Sequence, residues 1–223
     1  MIHHLQLLID SAVKRRFSAG STMLYQGEVP RSAIILISGV VRVYSISEAG
    51  DEQVVIFHAN GEFFPTSWIF EKTVGALFFY EAFTDCEVAL VPRAELLSFI
   101  YSDPETTRFV LNYFASNYTA SLIRVNALEQ PKARDKLVYT LYYLCQRYSK
   151  NNDGRNFVTI PMSLTHQTLA SLVGLTRETT AVEMSRLKKQ KVISYKQQRY
   201  QINLEKLLEI IGEDSFKDIV ITD

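Results

Sequence analysis

Cysteine is nearly missing from this chain: among 223 residues only Cys86 and Cys145 carry a thiol. Two thiols are too few for a four-cysteine iron–sulfur or zinc site. They fit a reduced cytosol, where buried cysteines serve as small core residues. No apolar run reaches the roughly eighteen residues that a membrane span needs. The opening MIHHLQLLIDSAVKRR has neither a basic n-region nor a small-residue cleavage site, so it does not read as a signal peptide. A cytoplasmic protein is expected. No Ser-His-Asp spacing, metal-ligand cluster, phosphate-binding P-loop or G-x-G-x-x-G run is present. The expectation is therefore no enzyme, no cofactor and no metal. Sequence repeats and low-complexity segments are lacking too.

Net charge is also missing, with 24 basic and 24 acidic residues, but the two signs are segregated. Residues 1–130 carry 9 Lys and Arg against 14 Asp and Glu; residues 131–223 carry 15 against 10. Within 131–200 the count is 13 against 4. A basic excess of that size in one stretch is the footprint of a phosphate-binding surface.

That stretch holds a helix-turn-helix pattern. Thr165 can cap a short helix over His166–Val173, because its hydroxyl accepts an orphan backbone N–H. Gly174 supplies the left-handed residue that ends it. Thr176 caps a second helix, Arg177 to Gln190. Leu169, Ala170 and Val173 give the first helix an apolar face; Thr180, Met184 and Leu187 give the second its own. Such a pair places its second helix in a DNA major groove. Val192–Tyr195 and Tyr200–Asn203, flanking the polar turn Lys196–Arg199, read as a two-stranded wing with a basic tip.

These residues resemble the DNA-binding domain of the Crp/Fnr family, the cyclic-AMP receptor protein and its relatives. The matching string is Thr165-x-Gln167, Leu169-Ala170, Val173-Gly174 and Thr176-Arg177-Glu178-Thr179, without a gap. The first half adds Gly27-Glu28, Ser38-Gly39, Gly50 and Gly61-Glu62-Phe63, which are similar to the family's β-roll sensor. The resemblance implies an α+β protein with three parts. They are a jelly-roll-like β-roll sensor over residues 1–102, a long dimerisation helix and hinge over 103–130, and a winged helix-turn-helix domain over 131–223. It also implies a homodimer on double-stranded DNA, with RNA polymerase as a candidate further partner.

The pattern along the chain agrees. Residues 3–14 form a helical segment. Then come candidate strands Ile34–Ser38, Val40–Ser47, Gln53–His58, Leu77–Phe83 and Cys86–Val91. Gly20, Gly27, Gly39, Gly50 and Gly61 punctuate them, as in a sandwich or jelly roll. Glu48-Ala49-Gly50-Asp51 signals a hairpin turn. Ser102-Asp103-Pro104 opens a helix to Glu129, proline being suited to the first helical position. About 27 residues at about 1.5 Å rise give roughly 40 Å. Its residues Leu111, Phe114, Tyr118, Ser121, Val125 and Leu128 step by three and four, as a helix seam does. Phe109, Val110, Tyr113 and Ile123 lie off that seam and want burial as well. Glu129-Gln130-Pro131-Lys132 breaks the helix and forms a hinge. A helix over Ala133–Tyr148, a polar loop over 149–156 and a strand over Phe157–Ile160 follow.

Arg177 and Glu178 open the recognition helix, where Arg can bond guanine and Glu can accept from cytosine. Thr165, Gln167, Thr176 and Thr179 would bond phosphate, as their counterparts in the family do. Lys196 and Arg199 at the wing would too, and Lys188, Lys189 and Lys191 are further basic candidates. The family's second Arg, five residues after Arg177, is here Val182, preceded by Ala181. Neither bonds guanine, and either can pack on a thymine methyl. The expected target therefore departs from the family's usual half-site.

The cyclic-AMP members carry a Glu for the ribose and an Arg for the phosphate. Here Pro65-Thr66 and Ala76-Leu77 stand at those places, so cyclic AMP is not the expected effector. Residues 77–82 are also similar to the 2-oxoglutarate-sensing nitrogen regulators, but Phe78 replaces the Arg which those need. The candidate effector pocket is instead aromatic: Phe63, Phe64, Thr66, Trp68, Phe78 and Tyr80, with Tyr118 from the long helix. Two readings stand open, an apolar ligand or a pocket filled by its own side chains. His58 could ligate haem, although a lone His near a strand end more often has a structural role. The competing reading of the whole is a dimeric small-molecule-binding module whose C-terminal domain docks protein rather than DNA.

Overall fold

The computed structural model describes residues 2–149, 157–196 and 199–212. The chain divides into two compact units, Met1–Leu111 and Asn112–Asp223, and the division falls inside one long helix.

The N-terminal unit begins with α1 (Ile2–Ser11) and continues into two four-stranded antiparallel sheets. The first orders β1 (Val13–Phe17), β8 (Cys86–Val91), β3 (Ala33–Ser38) and β6 (Phe63–Phe64); the second orders β2 (Thr22–Leu24), β7 (Phe79–Ala82), β4 (Val41–Ile46) and β5 (Glu52–His58). Strand side chains alternate between faces. Ile34, Leu36 and Val88 of the first sheet thus meet Val41, Val43, Tyr80 and Ala82 of the second in one core. The expected hairpin joins β4 to β5, closed by Ser47 N–H to the Asp51 carbonyl at 2.9 Å. α2 (Thr66–Ile69) lies between β6 and β7, and α3 (Arg93–Ser102) follows β8.

α4 (Pro104–Glu129) then starts where proline is expected, with the Asp103 carboxylate accepting from Thr106 N–H at 2.8 Å. One face buries Tyr113, Ala120, Ile123 and Ala127, while Leu111, Tyr118, Leu122 and Val125 stay 52–66% exposed. The exposed apolar stripe runs through Leu122 rather than Ser121, whose hydroxyl donates back to the Asn117 carbonyl at 2.8 Å.

In the C-terminal unit, α5 (Ala133–Tyr148), α6 (His166–Val173), α7 (Arg177–Lys189) and α8 (Leu204–Ile211) pack with a three-stranded sheet. Its order is β10 (Ile193–Lys196), β11 (Arg199–Asn203), β9 (Phe157–Thr159). Leu169, Ala170 and Val173 of α6 and Thr180, Met184 and Leu187 of α7 are buried, as their spacing requires.

Several elements carry no clear signature in the sequence. Val13–Phe17 is a strand, not the end of a helix, because it pairs residue for residue with Cys86–Leu90. Its residues are mostly exposed and do not alternate, so no period announces it. α3 is set by Leu96 and Ile100, one helical turn apart and both buried. α8 is started by Asn203, whose side chain accepts from Lys206 N–H at 3.0 Å. The β7 strand begins at Phe79 rather than Leu77. The expected loop at 150–156 and the wing tip at 197–198 lie outside the described residues.

Gly39 shows why the turns need glycine. Its φ is +97°, and a Cβ there would sit 2.4 Å from the Asp85 carbonyl oxygen and 2.7 Å from the Cys86 sulfur. Both backbone strain and overpacking oppose any larger residue. Gly39→Ala should lose about 2 kcal/mol or more of stability, read as a lower midpoint in urea unfolding followed by circular dichroism. An unchanged midpoint would show that the Asp85 turn yields freely.

Candidate nucleic-acid interface and sensor core

The recognition helix is built by local hydrogen bonds. Thr165 has extended backbone, and its hydroxyl accepts from Thr168 N–H at 3.0 Å, starting α6. Gly174 ends α6 at φ 66°, ψ 40°, the left-handed conformation that costs glycine little. Thr176 accepts from Thr179 N–H at 3.1 Å and starts α7. Two caps around one left-handed residue leave the turn little freedom.

Thr165, Gln167, Thr176, Arg177 and Glu178 are exposed at the N-terminal ends of α6 and α7. Thr179 is half-buried beside its cap, as is Ala181, and Val182 is 51% exposed. A helix N-terminus carries positive potential, which favours anions there. Lys196 and Arg199 are not loop residues: they pair across the end of the β10–β11 ladder. Lys188, Lys189 and Lys191 are exposed at the far end of α7.

One residue on that surface escapes the motif reading. Arg186 stands one helical turn beyond Val182, exposed, and its Nη1 donates to Glu183 Oε1 at 2.6 Å. Glu183 is buried at 8% exposure. The signal was the spacing of four from Val182, which puts both residues on one helix face.

The aromatic residues of the sensor core are mostly buried. Phe63 and Phe64 are completely buried, and Trp68 and Tyr80 are 7% and 5% exposed. Phe64 stacks on Tyr80 at 5.1 Å between centroids and on His58 at 4.8 Å. His58 Nδ1 meets Glu62 Oε2 at 2.7 Å, both side chains buried, so that ring nitrogen is already engaged. Burial pushes the Tyr80 phenol well above its ordinary pKa. Phe78 packs on the edge of this core, and Thr66 is the first residue of α2. Ala76 is buried, and its backbone bonds Glu28 and Gly27 at 2.8 Å each, so no cation stands at its position. Tyr118 belongs to the other unit and is 66% exposed. An open surface depression of about 580 Å³ shares only Trp68 with these residues and is otherwise lined by residues such as Arg31, Lys72 and Val74. Cys86 and Cys145 are buried, and burial raises both thiols, Cys145 to about 12.

A double sheet, a long helix and an exposed, capped recognition helix define a DNA-binding transcription regulator, and comparison with known proteins gives the family. Residues 14–103 match the cyclic nucleotide-binding domain and residues 135–210 the Crp-like helix-turn-helix domain. The HTH-type transcriptional regulator ArcR of Staphylococcus haemolyticus is 28% identical over 79% of this chain and 76% of its own. The fumarate and nitrate reduction regulatory protein of Vibrio cholerae is 24% identical over 92% of this chain and 81% of its own. Among solved structures, FixK2 of Bradyrhizobium japonicum superposes with a TM-score of 0.73 at 20% identity, covering 92% of this chain and 99% of its own. The chain belongs to the Crp/Fnr family of transcription regulators, which are DNA-binding proteins and not enzymes.

Proposed function

We propose that the protein binds double-stranded DNA as a homodimer formed along α4, with α7 of each protomer in a major groove. The observation that carries this reading is the exposed start of α7, where Arg177 and Glu178 follow a capped, glycine-fixed turn. The exposed stripe Leu111, Tyr118, Leu122, Val125 supports a second copy as its cover, since it is apolar and lies opposite the buried face. The chain then works as a sensor-derived β-roll over 1–102, a dimerisation helix and hinge over 103–130, and a winged DNA-binding domain over 131–223. The setting is the cytoplasm, in keeping with the absence of a membrane-spanning helix among the described residues.

Arg177 and Glu178 read bases, while Ala181 and Val182 offer only methyl groups to the groove. Thr165, Gln167, Thr176, Thr179, Lys196 and Arg199 hold phosphate, which sets register without reading sequence. Two recognition helices related by a two-fold axis read half-sites whose centres lie about 34 Å apart. Selection from a random DNA pool should recover a near-palindrome with thymine, not guanine, facing Val182. On that site Arg177→Ala should cost about 1–3 kcal/mol and barely alter binding to random DNA. Binding of both should fall steeply with salt. Equal losses on both DNAs would make Arg177 a phosphate contact. Binding insensitive to salt would favour a protein-docking role for the C-terminal unit.

The dimer has its own test. Tyr118→Glu with Val125→Glu places like charges across the two-fold axis. Light scattering should then report a monomer, and a persistent dimer would remove α4 as the interface.

The β-roll acts without cyclic AMP. Thr66 offers no carboxylate for a ribose, Ala76 offers no cation for a phosphate, and Phe64 and Tyr80 already fill the core. Losing a charged hydrogen bond costs about 1.5–3 kcal/mol, so two losses lower affinity by roughly a hundredfold or more. Titration calorimetry with millimolar cyclic AMP should give only heat of dilution. Micromolar binding with a change in DNA affinity would overturn this assignment. The effector, if one acts, is an uncharged molecule.

A further inference from the structure

Arg124 projects from α4 into the C-terminal unit and touches two of its helices. Its Nη2 donates to the backbone carbonyl of Leu172 at 2.9 Å. Its guanidinium carbon lies 5.7 Å from the centre of the Tyr143 ring of α5. Tyr143 in turn meets Tyr148, hydroxyl to hydroxyl, at 3.4 Å. Burial draws the Arg124 pKa below the ordinary arginine value, against an opposing influence of Tyr143 and Tyr148.

The acceptor is not an arbitrary carbonyl. The last four C=O groups of a helix have no partner within it. At the end of α6 the N–H groups of Gly174 and Leu175 both go to Ala170. The Leu172 carbonyl is bonded from α4 instead, by a cation at the end of a helix where negative potential gathers. Leu172 lies two residues before Gly174 and five before Arg177. The helix read above as the two-fold axis is thus fastened, by one of its own side chains, to the turn that aims α7. A planar guanidinium holds direction as well as distance.

We propose that Arg124 is a positioning residue that sets how far apart, and at what angle, the two recognition helices stand, and so which half-site spacing the dimer accepts. The inference rests on the reading of α4 as dimer helix and of α7 as groove helix. It differs from a contribution to stability alone, because it predicts a change in geometric selectivity. Adding or removing one base pair between half-sites displaces them by about 3.4 Å and turns them by about 34°. A rigid pair of helices resists that; a pair with a loose fastening follows it.

The test uses the full-length protein and the DNA that wild type selects from a random pool. Four DNAs are compared by fluorescence anisotropy: that site, its versions with one base pair added or removed at the centre, and a duplex with one half-site. Arg124→Met keeps a long apolar side chain and removes the donor. It should lose roughly tenfold or more of the preference for the natural spacing while binding the single half-site as wild type does. Arg124→Lys keeps a charge and a donor without the planar fork, and should recover part of the preference. Thermal melting of each variant reports its folding. Undiminished spacing preference in Arg124→Met overturns the proposal. So does a parallel loss on all four DNAs with a lowered melting temperature in both variants, which marks a structural role only. A wild type indifferent to spacing removes the two-half-site reading itself, and this inference with it.

Discussion

Gly174 is the constraint on which the DNA-binding half depends. Its left-handed backbone reverses the chain between α6 and α7 within three residues. A side chain there would strain the turn, and the strain would fall on the two threonine caps beside it. Those caps are themselves exposed and are the residues proposed to hold phosphate. One backbone conformation therefore fixes two things: the path of the chain from α6 to α7 and the place of Arg177 at the start of α7. Thr180 completes the arrangement by returning its hydroxyl to the Thr176 carbonyl at 2.9 Å. The specific chemistry is carried by side chains, but its direction is set by the backbone.

The β-roll shows the opposite use of sequence. A charged ligand inside a protein needs cations and bonded donors in a poorly hydrated space. Here aromatic rings pack against one another in the core of the β-roll. Phe64, Tyr80 and His58 lie nearly parallel, and the one strongly polar pair, His58 with Glu62, satisfies itself at 2.7 Å. A ligand shifts a conformational equilibrium only through a difference in its interaction with the two states. We propose that a core of stacked rings with a paired His58 and Glu62 offers a charged ligand little such difference.

Features fixed by neighbours in sequence were legible beforehand. Thr165, Gly174 and Thr176 act on residues within four positions, so their roles follow from residue type and spacing. The glycine turns and the helix limits at Val173 and Tyr148 follow for the same reason. What was hidden depends on distant partners. Val13–Phe17 becomes a strand only because Cys86–Leu90 lies beside it. The aromatic cluster was visible as composition, but composition does not say whether rings line a space or occupy it. Arg124 drew no expectation, since nothing near it in sequence reveals that its partner is the carbonyl of Leu172, 48 residues on.

The separation of charge explains how a neutral chain can hold DNA. Binding strength on phosphate depends on the local count of cations, not on the total. Residues 131–200 carry 13 basic against 4 acidic side chains, whereas residues 1–130 carry 9 against 14. A uniformly neutral surface would attract DNA in no preferred orientation. A split one draws the basic part toward the duplex while the acidic part is repelled, so productive encounters are favoured before any base is read. The neutral sum also limits the long-range attraction that would hold the protein on random sequence. Selectivity then falls on short-range groups, for which we propose Arg177 and Glu178 foremost, and these act only where the turn at Gly174 has placed them.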